Sequence, residues 1–181
     1  MLGSSLRGMS DSARLALADG HDVFAFDSER PGVPDDLTEQ VQVLPTAWTS
    51  EFLDDIDRVV TSPWFSELQP PLSDAIDRGI DVYTEAAHGI DHLDLPYVAV
   101  TGTNGKTTVT EVTAEMLQAS GVDALAAGNI GTPVSALRND DAEMLVLELS
   151  SYQLRFFPGL APKAAALLNL AEDHLDWHGT M

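Results

Sequence analysis

A lysine and two threonines follow two glycines near the middle of the chain, in the run T-G-T-N-G-K-T-T that begins at Thr101. The apolar run 97–100 before it predicts a strand, and the amphipathic segment after it predicts a helix. Small loop residues let backbone N–H groups face an anion, and the positive end of the helix dipole points the same way. The pattern predicts a phosphate site, with Lys106 on the outer phosphates and the Thr107 hydroxyl on Mg²⁺.

The loop is shorter than the general phosphate-binding pattern G-x-x-x-x-G-K-[ST]. That pattern has a glycine five residues before Gly105, where this chain has Val100. We therefore interpret T-G-T-N-G-K-T as a shorter variant of the loop, built on Gly102 and Gly105.

Two further predicted strands end in polar residues. Glu148 closes the run MLVLE, and Asn169 closes the run AALLN just before the acidic and histidine residues at 172–174. Because ligands bind at the carboxyl ends of strands in open α/β sheets, these groups converge if the strands are neighbours. A carboxylate there suits Mg²⁺, which prefers hard oxygen ligands. The alternative for Glu148 is a solvated strand terminus.

Two histidines, His174 and His178, stand four residues apart, a spacing that on a helix could form a zinc pair. The sequence has no H-E-x-x-H motif and no third soft ligand, so we disfavour zinc. The remaining alternatives are histidines of a surface loop and a role for His174 near Mg²⁺ or phosphate.

The first half carries a weaker nucleotide signal. Gly3 and Gly8 form a glycine turn that opens a predicted helix at residues 10–18. Asp27 follows this turn by about twenty residues, the position of a ribose- or base-binding acid in nucleotide folds. An ordinary loop aspartate is an equal alternative. Such a turn normally follows a buried strand, and we expect most of that strand to be missing here.

Strands and helices alternate along the whole chain, which predicts α/β architecture with parallel sheets. Strands are predicted at 23–26, 41–44, 58–61, 80–83, 97–100, 122–127, 144–147 and 163–168. Helices are predicted at 70–78, after the glycine loop, at 133–138 and at 150–157, the last as a short helix or turn. Residues 88–96 predict a loop, with a domain boundary near 91–95, and the first ninety residues predict one parallel open sheet with helices on its faces.

The charge excludes several kinds of partner. The 181 residues include 29 acidic and 9 basic ones, for a net charge of −20. Such a surface repels nucleic acid and anionic membranes. The scattered acidic residues favour a salt-loving source over an ordinary acidic protein. The sequence shows no apolar run of transmembrane length and no signal peptide, and its lack of cysteine fits a reducing compartment, so we expect a cytoplasmic protein. We also expect a monomer.

Four motifs occur in a fixed order: T-G-T-N-G-K-T-T, then G-N-I-G, then L-E-L-S-S-Y-Q-L, then N-L-A-E-D-H-L-D-W-H-G-T-M. Together they resemble the Mur ligase family of ATP-dependent amide ligases. The G-N-I-G and L-S-S-Y-Q-L pair is most similar to members that add D-glutamate to a UDP-linked muramoyl substrate during peptidoglycan synthesis. The resemblance implies a Rossmann-like domain at 1–93 that binds the UDP-linked substrate and an ATP-binding P-loop domain at 94–181.

The resemblance also implies roles for individual residues, with ATP and Mg²⁺ as cofactors. Lys106 and His174 would be catalytic, and Thr107, Glu148 and His174 would serve Mg²⁺. Contacts to ATP would come from Gly102, Thr103, Asn104, Gly105, Lys106, Thr107, Thr108 and Asn129. Contacts to the UDP-linked substrate would come from Gly3, Gly8, Asp27, Arg30, Ser150 and Gln153. The reaction would proceed through an acyl phosphate that the amine of D-glutamate attacks.

The chain departs from the family pattern in several places. Ser5 replaces a family glycine, and Glu29 lies in a stretch where the family is often shorter, so the chain departs from the family pattern at the uridine contacts. The family also has a carbamylated lysine after the D-H-L-D segment and a C-terminal domain for the amino acid, and the sequence ends before either. We therefore expect these residues alone to be inactive. Another ligase of the family, or a nucleotide-binding remnant without turnover, are the alternatives.

Overall fold

The structure, a computed structural model, describes residues 7–29, 32–63, 65–178 and 180. Its first half alternates helices and short parallel strands. In chain order these are α1 (Arg7–Ala18), β1 (Val23–Ala25), β2 (Val41–Val43), β3 (Arg58–Thr61), α2 (Pro70–Asp77), β4 (Asp81–Thr84) and α3 (Glu85–His92). Strand β1 pairs with β2, and β3 pairs with β4, both in parallel.

The second half is a four-stranded parallel sheet with helices. It contains β5 (Tyr97–Thr101), α4 (Lys106–Ala119), β6 (Ala124–Gly128), β7 (Met144–Glu148), α5 (Ser151–Arg155), β8 (Ala164–Leu167) and α6 (Leu175–His178). The strand order is β6-β7-β5-β8. In this order the two strands beside β5 are the ones that end near Glu148 and Asn169, so the three polar strand ends are neighbours as predicted.

One hydrophobic core spans both halves. It includes Ala86 and Ala87 from α3 together with Leu145 and Leu147 from β7. The turn Val134–Ala136, a single 3₁₀ turn, contacts both α1 and α3. Because buried apolar area is shared across the connection at 93–96, the two halves are held against each other rather than joined only by a linker.

Local sequence explains where the first-half helices begin and end. Two prolines occupy the first turn of α2, where their missing N–H groups are no loss, and Gly79 follows the helix with φ of +72°. Helix α3 begins after Thr84, whose hydroxyl accepts a hydrogen bond from Ala87 N at 3.4 Å. That cap explains why residues 88–92 are helical, and the predicted loop over 88–96 was wrong for this part.

Two other predictions differ from the structure. The predicted helix at 133–138 is only the turn Val134–Ala136, because Leu137 turns to an extended conformation with ψ of 158°. The side chain of Asp141 then accepts a hydrogen bond from Arg138 N at 2.8 Å and closes a loop. The first four strands form two separate parallel pairs in the described residues, whereas the prediction was one parallel open sheet. Among the helices of the described residues, none is long and apolar enough to cross a membrane.

Candidate functional site

The carboxyl ends of β5, β7 and β8 form one edge of the sheet, called the sheet edge below. In the strand register Val100 lies opposite both Glu148 and Ala166. The hydroxyl of Thr101 donates a hydrogen bond to Leu149 O at 2.8 Å and ties the ends of β5 and β7 together. The register therefore places the start of the glycine loop, residues 102–105, directly beside Glu148.

Both glycines of the loop are required by its geometry. Gly105 precedes α4 with φ of +85°, a left-handed conformation that side chains disfavour. Gly102 has φ of +144°, and a Cβ placed there would lie 3.1 Å from the backbone N and O of Asn169. The glycine at each position lets the loop turn sharply beneath the N-terminus of α4.

Lys106 folds back over the loop. Its Nζ donates hydrogen bonds to Gly102 O at 2.8 Å and to Thr103 O at 3.1 Å. The half-buried ammonium group is therefore held above the loop by two neutral carbonyl groups. Because an anion offers stronger, charge-assisted hydrogen bonds than these carbonyls, the lysine can exchange them for phosphate oxygens.

Three predicted site residues meet at Glu148. The Thr107 hydroxyl donates to Glu148 Oε2 at 2.7 Å, and Asn129 Nδ2 donates to Glu148 Oε1 at 2.8 Å. The side chains come from α4, the loop after β6 and the end of β7. Glu148 itself is only 2% exposed, which contradicts the alternative of a solvated strand terminus.

Gly128 makes the approach of Asn129 to Glu148 possible. Asn129 N donates to Glu148 O at 2.9 Å, next to the side-chain contact of the same two residues. Gly128 has φ of +98°, and a Cβ there would lie 2.4 Å from Glu148 O. No side chain fits at this position, so the glycine of G-N-I-G allows β6 and β7 to end close together.

The donor set at Glu148 fits Mg²⁺. A carboxylate and a hydroxyl supply hard oxygen ligands, and Mg²⁺ in nucleotide sites is held by one or two such groups together with phosphates and water. Within the described ranges, no group of three or more His, Cys, Asp or Glu side chains that could hold a metal ion occurs. The Thr107 hydroxyl and the Glu148 carboxylate are the oxygen ligands that this site could offer to Mg²⁺.

His174 contacts α5 through the ring of Tyr152. It is exposed, has φ of +51°, and its N–H donates to Asp173 Oδ1 at 3.0 Å. Its ring lies 5.0 Å from that of Tyr152, and His178 stacks on the same tyrosine at 5.6 Å. The hydroxyl of Ser151 also hydrogen-bonds His178 Nε2 at 2.8 Å. The structure groups the two histidines with α5 rather than with Glu148, so the second-metal role of His174 stays a prediction.

Ser150 and Gln153 form a capping box at the start of α5. The Ser150 hydroxyl accepts from Gln153 N at 3.2 Å, and Gln153 Oε1 accepts from Ser150 N at 2.9 Å. The spacing S-x-x-Q is a sequence signal for such a cap. The interpretation of L-S-S-Y-Q-L as a family motif did not include this cap. Both residues therefore have a structural role at this position, whatever they also bind.

A cavity of about 220 Å³ lies between the two halves, next to the sheet edge. From the second half it is lined by Gly128, Asn129, Ile130, Gly131, Pro133 and Gln153, and from the first half by Gly8, Met9, Ser62, Pro63, Thr84 and Glu85. Of the residues predicted to contact substrate, Gly8 and Gln153 therefore share one cavity with Asn129.

Glu85 is a polar residue of this cavity that the sequence analysis missed. Its Oε1 accepts hydrogen bonds from both the N–H and the hydroxyl of Ser135, each at 2.7 Å. Burial raises the pKa of Glu85 above its ordinary value, and the hydrogen bonds from Ser135 oppose that change. An acidic residue after a threonine cap is a signal of a helix start, and the loop prediction that began at His88 left this helix undetected.

The remaining predicted residues fall into three groups. Gly3 and Arg30 lie outside the described residues. Asp27 is 8% exposed just after β1, and its Oδ1 accepts from Glu29 N at 2.9 Å, which gives it a local turn role. Thr108 is exposed in the first turn of α4, while Thr103 and Asn104 contact the segment after β8.

Residues 100–181 match the family model of the Mur ligase middle domain. The UDP-N-acetylmuramoylalanine–D-glutamate ligase of Aliivibrio fischeri is 42% identical over 148 residues, which are 82% of this chain and 34% of that protein. The ligase of the same name from Corynebacterium efficiens is 45% identical over 149 residues, 77% of this chain and 31% of that protein. That from Mycolicibacterium vanbaalenii is 39% identical over 193 residues, 100% of this chain and 39% of that protein.

Similarity to solved structures supports the fold. The UDP-N-acetylmuramate–alanine ligase of Thermotoga maritima superposes with a TM-score of 0.51 at 22% identity, covering 99% of this chain and 43% of that one. The chain spans about a third of the length of the curated relatives it matches. The α/β architecture with parallel sheets is confirmed, and the four sequence motifs agree with the family match. The chain belongs to the Mur ligase family of amide ligases.

Proposed function

We propose that this chain forms the nucleotide-binding part of an ATP-dependent ligase that adds D-glutamate to UDP-N-acetylmuramoyl-L-alanine. The observation that carries the proposal is the contact of Thr107 and Asn129 with the buried carboxylate of Glu148, beside Lys106. This arrangement offers a cation site and an ammonium group next to one glycine loop. We choose D-glutamate as the substrate because the curated relatives cited above are named as D-glutamate ligases.

The proposed ATP site uses the loop and the start of α4. Backbone N–H groups of Gly105 and the first turn of α4 face the phosphates, because the first N–H groups of α4 have no acceptor within the helix. Lys106 moves from the two loop carbonyls to the β- and γ-phosphates. Thr107 and Glu148 would hold Mg²⁺, which would neutralise charge on the phosphates. Asn129 keeps Glu148 oriented toward the threonine.

The proposed reaction has two steps. An oxygen of the substrate carboxylate forms a bond to the γ-phosphorus of ATP as the bond to ADP breaks, which gives an acyl phosphate. The amine of D-glutamate then attacks the acyl carbon, loses a proton and expels phosphate. Neither step needs a nucleophile from the protein, so positioning and charge stabilisation by Lys106 and the loop are its main contribution. We assign His174 to the same reaction region.

We place the UDP-linked substrate in the cavity between the halves. Gly8 and Gln153 line this cavity from the two sides, and Asn129 connects it to Glu148. Asp27 is assigned to the uridine end, with Ser150 near the reacting end. This assignment divides the chain into a substrate domain at 1–93 and an ATP domain at 94–181. A cytoplasmic monomer fits these nucleotide substrates.

The nucleotide site is tested by titrating the chain with MgATP. We expect Lys106→Ala and Glu148→Gln each to weaken binding by at least about tenfold, because each removes a charge from the site. The chain has only one other lysine, Lys163, which directly precedes β8 and is not among the residues assigned to ATP. Lys163→Ala is the matched control and should bind as the unaltered chain does. Equal affinity of all four proteins would contradict the nucleotide site.

The substrate is tested on the complete product of the gene. ADP release in the presence of the UDP-linked substrate should be stimulated by D-glutamate and not by L-alanine or diaminopimelate. Stimulation by one of the other two amino acids would assign the protein to a different reaction within the family. No stimulation by any of them, together with intact MgATP binding, would favour a nucleotide-binding remnant.

A further inference from the structure

We propose that Asn169 is a positioning residue of the nucleotide site, which holds the glycine loop in its anion-binding shape from the side of β8. The inference rests on the proposed binding of MgATP by that loop. The carboxamide of Asn169 makes two hydrogen bonds to the main chain of Asn104, accepting from its N–H at 2.9 Å and donating to its carbonyl at 2.9 Å. One side chain therefore fixes both polar groups of a loop residue.

Only a carboxamide can make this pair of contacts at neutral pH. Its oxygen accepts while its nitrogen donates, in the same plane. Aspartate keeps an acceptor and loses the donor, and alanine loses both. While both bonds to Asn104 are present, the peptide groups on either side of this residue cannot rotate independently. The side chain at position 169 thus determines the direction of the loop backbone.

The loop is attached to the same segment at two further points. Thr103 N donates to Asn169 O at 3.1 Å. The Thr103 hydroxyl accepts from Ala171 N at 3.0 Å and donates to Ala171 O at 3.3 Å. Gly102 passes so close to Asn169 that a Cβ there would lie 3.1 Å from its backbone. Residues 102–104 therefore lie along residues 169–171, and Asn169 is at the centre of this contact.

The contact decides which loop groups remain for phosphate. The N–H of Asn104 points toward Asn169, so the anion-facing groups are those of Gly105 and the first turn of α4. Lys106 also depends on this contact, because its Nζ bonds to the carbonyls of Gly102 and Thr103, which the same segment holds in place. Loss of the Asn169 carboxamide would release the loop and the lysine together.

The test compares Asn169→Ala with Leu170→Ala in a titration with MgATP. Leu170 is 72% exposed in the same segment, and its substitution leaves the carboxamide contact intact. We expect Asn169→Ala to weaken MgATP binding about tenfold, since two hydrogen bonds that orient the loop are lost. Leu170→Ala should bind as the unaltered chain does. Hydrogen exchange of the Asn104 amide, read by NMR, should become faster only in Asn169→Ala.

A second variant covers the case in which the alanine variant fails to fold. Asn169→Ser keeps a small polar side chain that is too short for both contacts, and it should also weaken binding and speed the exchange of the Asn104 amide. A lower melting temperature with unchanged affinity in either variant would assign Asn169 to stability alone and overturn the proposal. If the unaltered chain binds MgATP and Lys106→Ala weakens it, that same result leaves the proposed function standing. If the unaltered chain does not bind MgATP, both proposals fail.

Discussion

Two buried carboxylates, one in each half of the molecule, differ in the groups that hydrogen-bond to them. Glu148 is 2% exposed at the end of β7, and its side-chain partners are Thr107 and Asn129 from two other elements. Glu85 is 9% exposed at the start of α3, and both hydrogen bonds to its Oε1 come from Ser135. Burial alone does not distinguish the two residues.

The partners distinguish them. Thr107 is exposed at the start of α4, so its hydroxyl can turn from Glu148 to a cation while the helix stays in place. Ser135 N is a main-chain group of a buried turn that packs against α1 and α3, and it cannot leave Glu85 without moving the turn. A carboxylate held by movable side chains at a strand end is therefore the better candidate for a ligand site. Glu85 is better explained as a structural contact that holds the turn at Ser135 against α3 and so joins the two halves.

The largest effect is expected at the glycine that supports Glu148. Gly128→Ala should lower the free energy of unfolding by about 4 kcal/mol, because the new Cβ meets a backbone oxygen in a left-handed conformation. The clash involves Glu148 O at 2.4 Å, and neither strand end can move without breaking the sheet register. The measurement is urea unfolding of the chain.

The matched control is Gly121→Ala. Gly121 has a similar φ of +89°, and no heavy atom lies within 4 Å of a Cβ placed there. The free energy of unfolding of this variant should fall only by the conformational cost, about 1–2 kcal/mol. If the two variants are equally stable, the close approach of β6 to Glu148 is not a constraint, and the contrast between the two carboxylates loses its structural basis.

The second half was easier to predict than the first because its signals are local and continuous. The strand Met144–Glu148 is an unbroken apolar run, and the glycine loop has a fixed spacing to Lys106. The first four strands form two pairs instead of one sheet, which no local pattern reveals, and α3 was missed because its cap at Thr84 lies at the end of a strand. Pairing and capping at such junctions depend on tertiary contacts.

Site prediction shows the same division. The convergence of Thr107 and Glu148 follows from strand ends and the loop motif, and the structure brings the two side chains together. The roles of Asn169 and Glu85 could not be read from the sequence. Each depends on a contact between segments about 50 to 65 residues apart, with Ser135 and Asn104, and no periodicity encodes such contacts.

The next largest effect is a dependence of stability on pH, and it arises from His88, which is buried in α3 together with Glu85. Burial, helped by His92 and Arg58, lowers the pKa of His88 to about 4 from 6.5. The unfolded chain then binds a proton that the folded chain does not, so stability is complete above pH 6.5 and falls as the pH drops toward 4. Between pH 7 and pH 5 this loss is about 2 kcal/mol, and His88→Leu should abolish it. Urea unfolding at several pH values measures it.

The control is His21→Gln, which removes an exposed histidine and leaves the burial of His88 unchanged. Glu85 contributes with the opposite sign. Because its pKa is raised in the folded chain, its contribution weakens as the pH rises above the ordinary value of 4.5. In His88→Leu the free energy of unfolding should therefore decline with rising pH, and adding Glu85→Gln should flatten it. If the free energy of unfolding of the His88→Leu variant does not change with pH, the pKa of Glu85 does not differ between the folded and the unfolded chain.

The smallest effect separates a cap from a ligand contact at the sheet edge. Ser150→Ala removes the hydroxyl that accepts from Gln153 N and should lower the free energy of unfolding by about 1 kcal/mol without any ligand present. The control is Ser151→Ala, which removes an exposed hydroxyl that hydrogen-bonds His178 Nε2 and should change stability by less than about 0.5 kcal/mol. Equal stability of the two variants, with substrate binding lost only in Ser150→Ala, would make Ser150 a ligand contact and not a cap. Loss of both stability and binding would mean that the cap positions α5 for the substrate, as its place beside Glu148 suggests.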